Sequence, residues 1–156
     1  MQITVETLIN APRAEVFALA IDLARWPEFI KAIEKIEVLT PGPVRVGTRF
    51  RETRRMYGRR ATEEMTLAEL AAPERIVLTA ENHGTRYRIQ EHFIAEGAGT
   101  RIRIDFEGTP LTWTASLLAP LATAMAGSVK EQLAADLADI KRAAESGAST
   151  TAVRLR

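Results

Sequence analysis

The sequence predicts an α+β protein: a curved antiparallel sheet of about seven strands wrapped around a long C-terminal helix, with two short helices after the first strand. Three observations carry this. Residues 75–81 and 100–107 alternate strictly, with Ile76, Leu78 and Ala80 set against Arg75, Val77, Thr79 and Glu81, and Ile102, Ile104 and Phe106 against Arg101, Arg103 and Asp105. Such period-two patterning gives one dry and one wet face, as in an antiparallel sheet covered on a single side. Toward the C-terminus, Leu118, Leu121, Met125, Val129, Leu133, Leu137, Ile140 and Ala144 recur at spacings of three and four, the apolar stripe of one long helix. Near the start, Asn10-Ala11-Pro12 and Trp26-Pro27 punctuate a stretch whose apolar positions Val16, Phe17, Ala20 and Ile21 share a helical face.

Taken in order, Gln2 to Ile9 alternate as a first strand. Pro12 suits a first helical turn, where its missing N–H costs nothing. That helix is expected to run to about Arg25, because a residue before proline avoids the helical region. Phe29, Ile30 and Ile33 suggest a further short turn, and Ile33 to Leu39 a strand. Pro41-Gly42-Pro43 marks a turn. Strands are then expected over Val46 to Met56, Arg60 to Leu70, Arg75 to Glu81, Thr85 to Ala95 and Thr100 to Glu107. Tyr57-Gly58, Ala72-Pro73, His83-Gly84 and Gly97-Ala98-Gly99 separate them. After Pro110 the helical stretch extends to about Glu145, with Pro120 distorting its first turns. Glu131, Asp136, Asp139, Lys141 and Arg142 take its other faces. Residues 1–145 read as one domain, and the Ser-, Thr-, Ala- and Gly-rich tail 146–156 is expected to be disordered.

Of 156 residues, 46% are hydrophobic and 26% charged, ordinary proportions for a soluble chain large enough to bury a core. No apolar run approaches the ~20 residues of a membrane span, and Met1-Gln2-Ile3-Thr4-Val5-Glu6 does not read as a signal peptide. The chain has no cysteine, which excludes disulfides, thiolate metal sites and a cysteine nucleophile and fits a cytoplasmic location. Its net charge of +1 gives little bulk attraction to DNA. The charge is uneven, however. From Arg45 to Arg60 there are seven arginines against Glu52 alone. Outward arginines there could contact RNA, a ribosome or an anionic surface. No aromatics are interleaved with them, so a solvated sheet edge that discourages aggregation is the preferred reading.

No motif with a self-contained mechanism is present. His83 and His92 lie nine apart on a turn and a strand, so no metal site is expected. A sheet curved around a helix leaves a gap, and that gap is a natural apolar pocket. Strand parity nominates its wall. Phe50 carries Glu52 and Arg54 inward with it; Met65 and Leu67 carry Glu63; Tyr87, Ile89 and Phe93 carry Glu91. With Trp26, Phe29, Leu78, Phe106, Leu118, Ala122 and Met125, these are the candidate ligand contacts. Buried charges need partners, and Arg54 could pair with Glu52, Glu63 or Glu91. In a catalytic reading Arg54 would stabilise an enolate oxygen, Tyr87 would donate a hydrogen bond, and Glu91 or another carboxylate of raised pKa would move a proton. In the structural alternative the same groups form a cross-strand ladder, and Trp26 and Phe29 simply pack. Trp113 is expected to anchor the last helix. Ala115, Ala119, Ala122, Ala126 and Gly127 leave either a void or room for close helix approach.

In their order and spacing, Ile9-Asn10-Ala11-Pro12 with Val16-Phe17, Asp22 with Trp26-Pro27-Glu28-Phe29, Val46-Gly47-Thr48-Arg49-Phe50, Glu69 with Pro73-Glu74-Arg75-Ile76, and Gly99-Thr100-Arg101-Ile102 before a long helix resemble the START-like (SRPBCC, Bet v 1-like) superfamily, and within it the polyketide cyclase/dehydrase-like branch. The resemblance spans roughly residues 2–145. It implies the helix-grip fold and a cavity for a hydrophobic small molecule such as a lipid, a quinone or an aromatic polyketide, with no cofactor. Whether such a chain carries its ligand or converts it, as a cofactor-independent polyketide cyclase/dehydrase, is left open, because one fold serves many activities.

Overall fold

A computed structural model describes residues 1–147; the part of the expected disordered tail beyond Gly147 lies outside the described residues. Seven strands form one curved antiparallel sheet: β1 (Gln2–Ile9), β2 (Ile33–Val38), β3 (Arg49–Met56), β4 (Arg59–Ala71), β5 (Arg75–Asn82), β6 (Thr85–Glu96) and β7 (Gly99–Pro110). Their order across the sheet is β1-β7-β6-β5-β4-β3-β2. Every neighbouring pair except β1–β7 is consecutive in sequence, so most of the sheet is a simple meander. The edges are therefore β1 and β2, and the arginine-rich β3 is an interior strand, not the solvated edge the sequence suggested. The tight turns at Tyr57-Gly58 and His83-Gly84 have positive φ at both residues, the geometry that matches strand twist in a two-residue hairpin.

Between β1 and β2 lie α1 (Arg13–Ile21), a 3₁₀ turn at Leu23–Arg25 and α2 (Trp26–Phe29). The first helix stops earlier than expected, where Asp22 leaves the helical region (φ −81°, ψ 68°). Trp26 is helical (φ −51°, ψ −40°) although Pro27 follows it. Packing overrides the local preference: the indole Nε1 donates to the Ala20 carbonyl at 3.1 Å, and the ring meets Phe50 edge-on at 5.6 Å. β3 begins at Arg49 rather than Val46, because Gly47 turns the chain at φ +90° and the Thr48 hydroxyl accepts the Arg45 N–H. A register shift between Leu67 and Glu69 breaks the strict alternation of β4, and the outward Val77 opposite Glu69 is fully buried.

The long C-terminal helix is three pieces: α3 (Trp113–Leu117), α4 (Ala119–Ala124) and α5 (Ala126–Glu145). Pro120 lies in the first turn of α4, where its ring is tolerated but cannot continue the helix before it. Only the last part of the expected stripe is covered. Leu137, Ile140 and Ala144 are buried and Val129 and Leu133 half-buried, whereas Leu118 and Leu121 are about 60% exposed and Met125 45%. Trp113, expected as an anchor, is 75% exposed. Among the described residues no helix is long and apolar enough to cross a membrane.

The core lies between the inner sheet face, α1 and the C-terminal turns of α5. Phe17 meets Phe93 edge-on at 5.1 Å, with Ile9, Ile102 and Leu137 buried around them. Two polar ties pin this end. Asp139 Oδ2 accepts the Lys31 N–H at 2.8 Å, and Glu145 Oε1 accepts that of Asn10 at 2.9 Å.

Candidate functional site

Toward the other end the helix stands off the sheet and leaves a cavity of about 410 Å³, within the usual range for small-molecule sites. Cross-strand register sets out the inner face of the sheet, part of which is the cavity floor, in rows. Phe50, Met65, Ala80, Tyr87 and Gly108 stand abreast; Leu67, Leu78, Ile89, Phe106 and Ile3 form the next row inward; Leu70, Ile76, Glu91, Ile104 and Val5 form the row beyond. The roof is Val129, Gln132, Leu133, Asp136 and Ile140 of α5, at helical spacing, and the lining residues most open to solvent include Ala122 and Met125 and, on the β3–β4 turn, Tyr57, which mark the mouth.

Small residues make the space. Ala80 and Gly108 flank Tyr87, whose ring tilts against Phe106 at 5.7 Å. Ala61 stands opposite Arg54 and leaves room for the guanidinium. Of the small helical residues, Ala122 faces the cavity and Ala115 is buried, while a Cβ at Gly127 would meet nothing within 4 Å, so close helix approach is not its purpose.

The candidate contacts divide by position. Trp26, Glu52, Arg54, Met65, Leu78, Tyr87, Ile89, Glu91, Phe106, Ala122 and Met125 line the cavity, as does Glu63. Phe50 and Leu67 do not; they are 0% and 1% exposed within the solid core. Phe29 packs half-buried against that core, and Leu118 points to solvent. Phe50 and Leu67 have the inward parity expected of them, but α2 and the core fill the space above them.

The polar groups are where the structure adds most. Arg54 Nε donates to Glu52 Oε1 at 2.5 Å, and its Nη2 donates to Asp136 Oδ2 at 2.8 Å. Asp136 replaces Glu63 and Glu91 among the partners the sequence allowed for Arg54. Sequence reasoning misses it because an acidic residue on an amphipathic helix is placed on the polar face. Its spacing from Val129, Leu133 and Ile140 puts it on the apolar stripe, and that is the available signal. One guanidinium thus serves two buried carboxylates. Burial raises the pKa of Glu52, against the pull of Arg54, and Asp136 and Glu63 add to the rise. Burial likewise raises Asp136 against Arg54. Burial acts against the charge on Arg54 too, yet its two carboxylates outweigh it and its pKa rises.

Glu63, directly opposite Glu52, accepts a hydrogen bond from Asn82 Nδ2 at 3.1 Å. Glu91 differs from all of these. Its immediate cross-strand neighbours are Ile76 and Ile104, both buried, and among the described residues none donates a hydrogen bond to it. Burial, helped by the charge of Asp136, pushes its carboxyl up to about 7. Among the described residues one cationic side chain, Arg54, shares the cavity wall with these four acids.

Outside the cavity, the arginine run is largely neutralised. Arg49 and Arg51 pair with Glu64, Arg51 also with Glu37, and Arg55 and Arg60 share Glu34. These acids lie on β2 and β4, outside or across from the window whose charge looked so uneven. His92 lies on the outer face, 3.5 Å from Asp105. Among the described residues no group of three His, Cys, Asp or Glu is placed to hold a metal.

Comparison with known proteins gives a family and a fold. The family model described as polyketide cyclase / dehydrase and lipid transport matches residues 1–145. Among solved structures, the chain is similar to the Zhui aromatase/cyclase of Streptomyces sp. R1128 (TM-score 0.76, 15% identity, 95% of each chain covered). It is also similar to the major latex-like protein 151 of Panax ginseng (TM-score 0.74, 13% identity, 92% of this chain and 97% of that one). A third is TTHA0849 of Thermus thermophilus (TM-score 0.73, 22% identity, 91% and 95%). No match is found among curated proteins.

Proposed function

Since the chain belongs to the polyketide cyclase / dehydrase and lipid transport family, we propose that it is a cytoplasmic binding protein that holds a hydrophobic small molecule between the sheet and α5. A lipid, a quinone or an aromatic polyketide would suit it. The observation that carries this reading is the cavity itself. A sheet this size can be covered to crystal-like density, and at the Phe17–Phe93 end it is. At the other end about 410 Å³ is left open beneath a helix, with walls that are mostly hydrocarbon and a few polar groups on the strands and on α5.

The test uses Nile red, a neutral apolar reporter, with native mass spectrometry of gently purified protein. Wild type is expected to enhance the dye's fluorescence and to carry a solvent-extractable adduct. Ile89→Trp, which fills the floor, is expected to lose both while keeping its circular dichroism. Equal dye binding by the two proteins, or none by either, overturns the proposal.

One observation favours a second reading, a cofactor-independent cyclase/dehydrase. A carboxyl held near neutrality, as in Glu91, is suited to giving and taking protons. Arg54, with two of its three nitrogens already on carboxylates, is a weaker enolate stabiliser than its position in the sequence promised. Turnover of a poly-β-ketone that Glu91→Gln abolishes with binding retained would select this reading.

A further inference from the structure

We propose that the ligand of this cavity carries a cationic nitrogen, a protonated amine on an apolar skeleton, and that Glu91 is the group that receives it. The inference rests on the binding-protein reading and deepens it.

The argument is one of charge. Four carboxylates face the cavity, on Glu52 of β3, Glu63 of β4, Glu91 of β6 and Asp136 of α5. Arg54 is committed to Glu52 and Asp136, and Asn82 holds Glu63. Glu91 alone has no donor among the described residues, and it stands in a row of Leu70, Ile76, Ile104 and Val5. A carboxyl in such a row is costly unless something pairs with it. Among the described residues no side chain does, which leaves its carboxyl, facing the cavity, free to pair with a guest. An anionic ligand would bring more negative charge to a wall already short of cations. An ammonium would make a charge-assisted hydrogen bond with Glu91 and lessen the repulsion from Asp136.

Depth sets orientation. Glu91 lies two rows in from Tyr87, and the mouth is beside Met125 and Tyr57. The amine therefore enters first and the apolar body trails toward α4.

Three probes with one skeleton test this: 2-naphthylmethylamine, 2-naphthylmethanol and 2-naphthoate, each measured by calorimetry and by Nile red displacement. At neutral pH the amine is expected to bind about tenfold or more tighter than the alcohol, and the carboxylate weakest. Glu91→Gln should bring the amine to within about twofold of the alcohol, with an unchanged circular dichroism spectrum and urea-unfolding cooperativity as the check on its fold. Acidification should weaken the amine and spare the alcohol, because Glu91 must give up its proton to bind it. If the alcohol or carboxylate equals the amine, or if Glu91→Gln keeps the preference, the proposal is overturned. Binding of the alcohol that Ile89→Trp blocks, without amine preference, would overturn the ligand class and leave the binding function standing. Failure of all three probes and of Nile red would overturn both.

Discussion

The two ends of the sheet carry the same alternation but are covered in opposite ways. At the end near α1, large side chains come from both sides: Phe17 and Leu137 descend onto Phe93, Ile102 and Ile9, and all five are at most 4% exposed. At the end near α3 and α4, the sheet offers Ala80 and Gly108, the helix offers Ala122, and the large residues of the helical segment turn away. Leu117, Leu118 and Leu121 are each about 60–69% exposed. The hollow is therefore not a property of the strands alone. It arises where the covering segment presents alanine inward and leucine outward.

That contrast can be broken by substitution. Phe93→Ala should have the largest effect, a loss of about 3–5 kcal/mol in urea unfolding, since the packed end cannot collapse onto the gap. A loss below about 1 kcal/mol would mean that this end is not solid.

An intermediate effect comes from pH. Glu91 has a folded pKa of about 7 against 4.5, so the folded chain keeps a proton that the unfolded chain releases. The stability that Glu91 contributes should be full below pH 4.5 and fall as pH rises toward about 7, by roughly 3 kcal/mol. The raised Glu52 and Asp136 act in the same direction. Glu91→Gln should flatten most of this slope. An unchanged slope would place the carboxyl in better contact with water than its row implies.

The smallest effect belongs to α4. Leu121→Ser should change stability by no more than about 0.5 kcal/mol, although the same residue type at Leu137 is buried in the core.

These expectations differ in how far they could be read in advance. The fold was legible because alternation and turn residues are local: each of β1 to β7 announced itself within a residue or three of its ends. Pro120 even marked where the helix would break. The bulge after Leu67 was not legible, because one extra residue leaves the composition of β4 unchanged while altering what opposes Val77. Exposure of Leu118 and Leu121 was not legible either, since a stripe shows that a helix could be covered and says nothing of whether the sheet extends beneath it. Glu52, Arg54, Glu63 and Glu91 came from parity alone. Glu52 was among the partners parity allowed for Arg54, but the second partner was not foreseen, because Asp136 lies 82 residues from Arg54, and its acidic character pointed outward while its spacing pointed in. The neutralisation of the arginines was hidden for the same reason: Glu34, Glu37 and Glu64 meet them only once the strands are abreast.

The breaks at Leu118 and Met125 have a mechanical consequence. Swinging α3 and α4 aside would uncover Ala115 and no other buried side chain of those two helices. Moving α5 would tear Leu137 and Ile140 from the core and strip Asp136 and Asp139 of their partners. The covering rod is thus a fixed post, α5, carrying two short segments that the frame does not need to stay square.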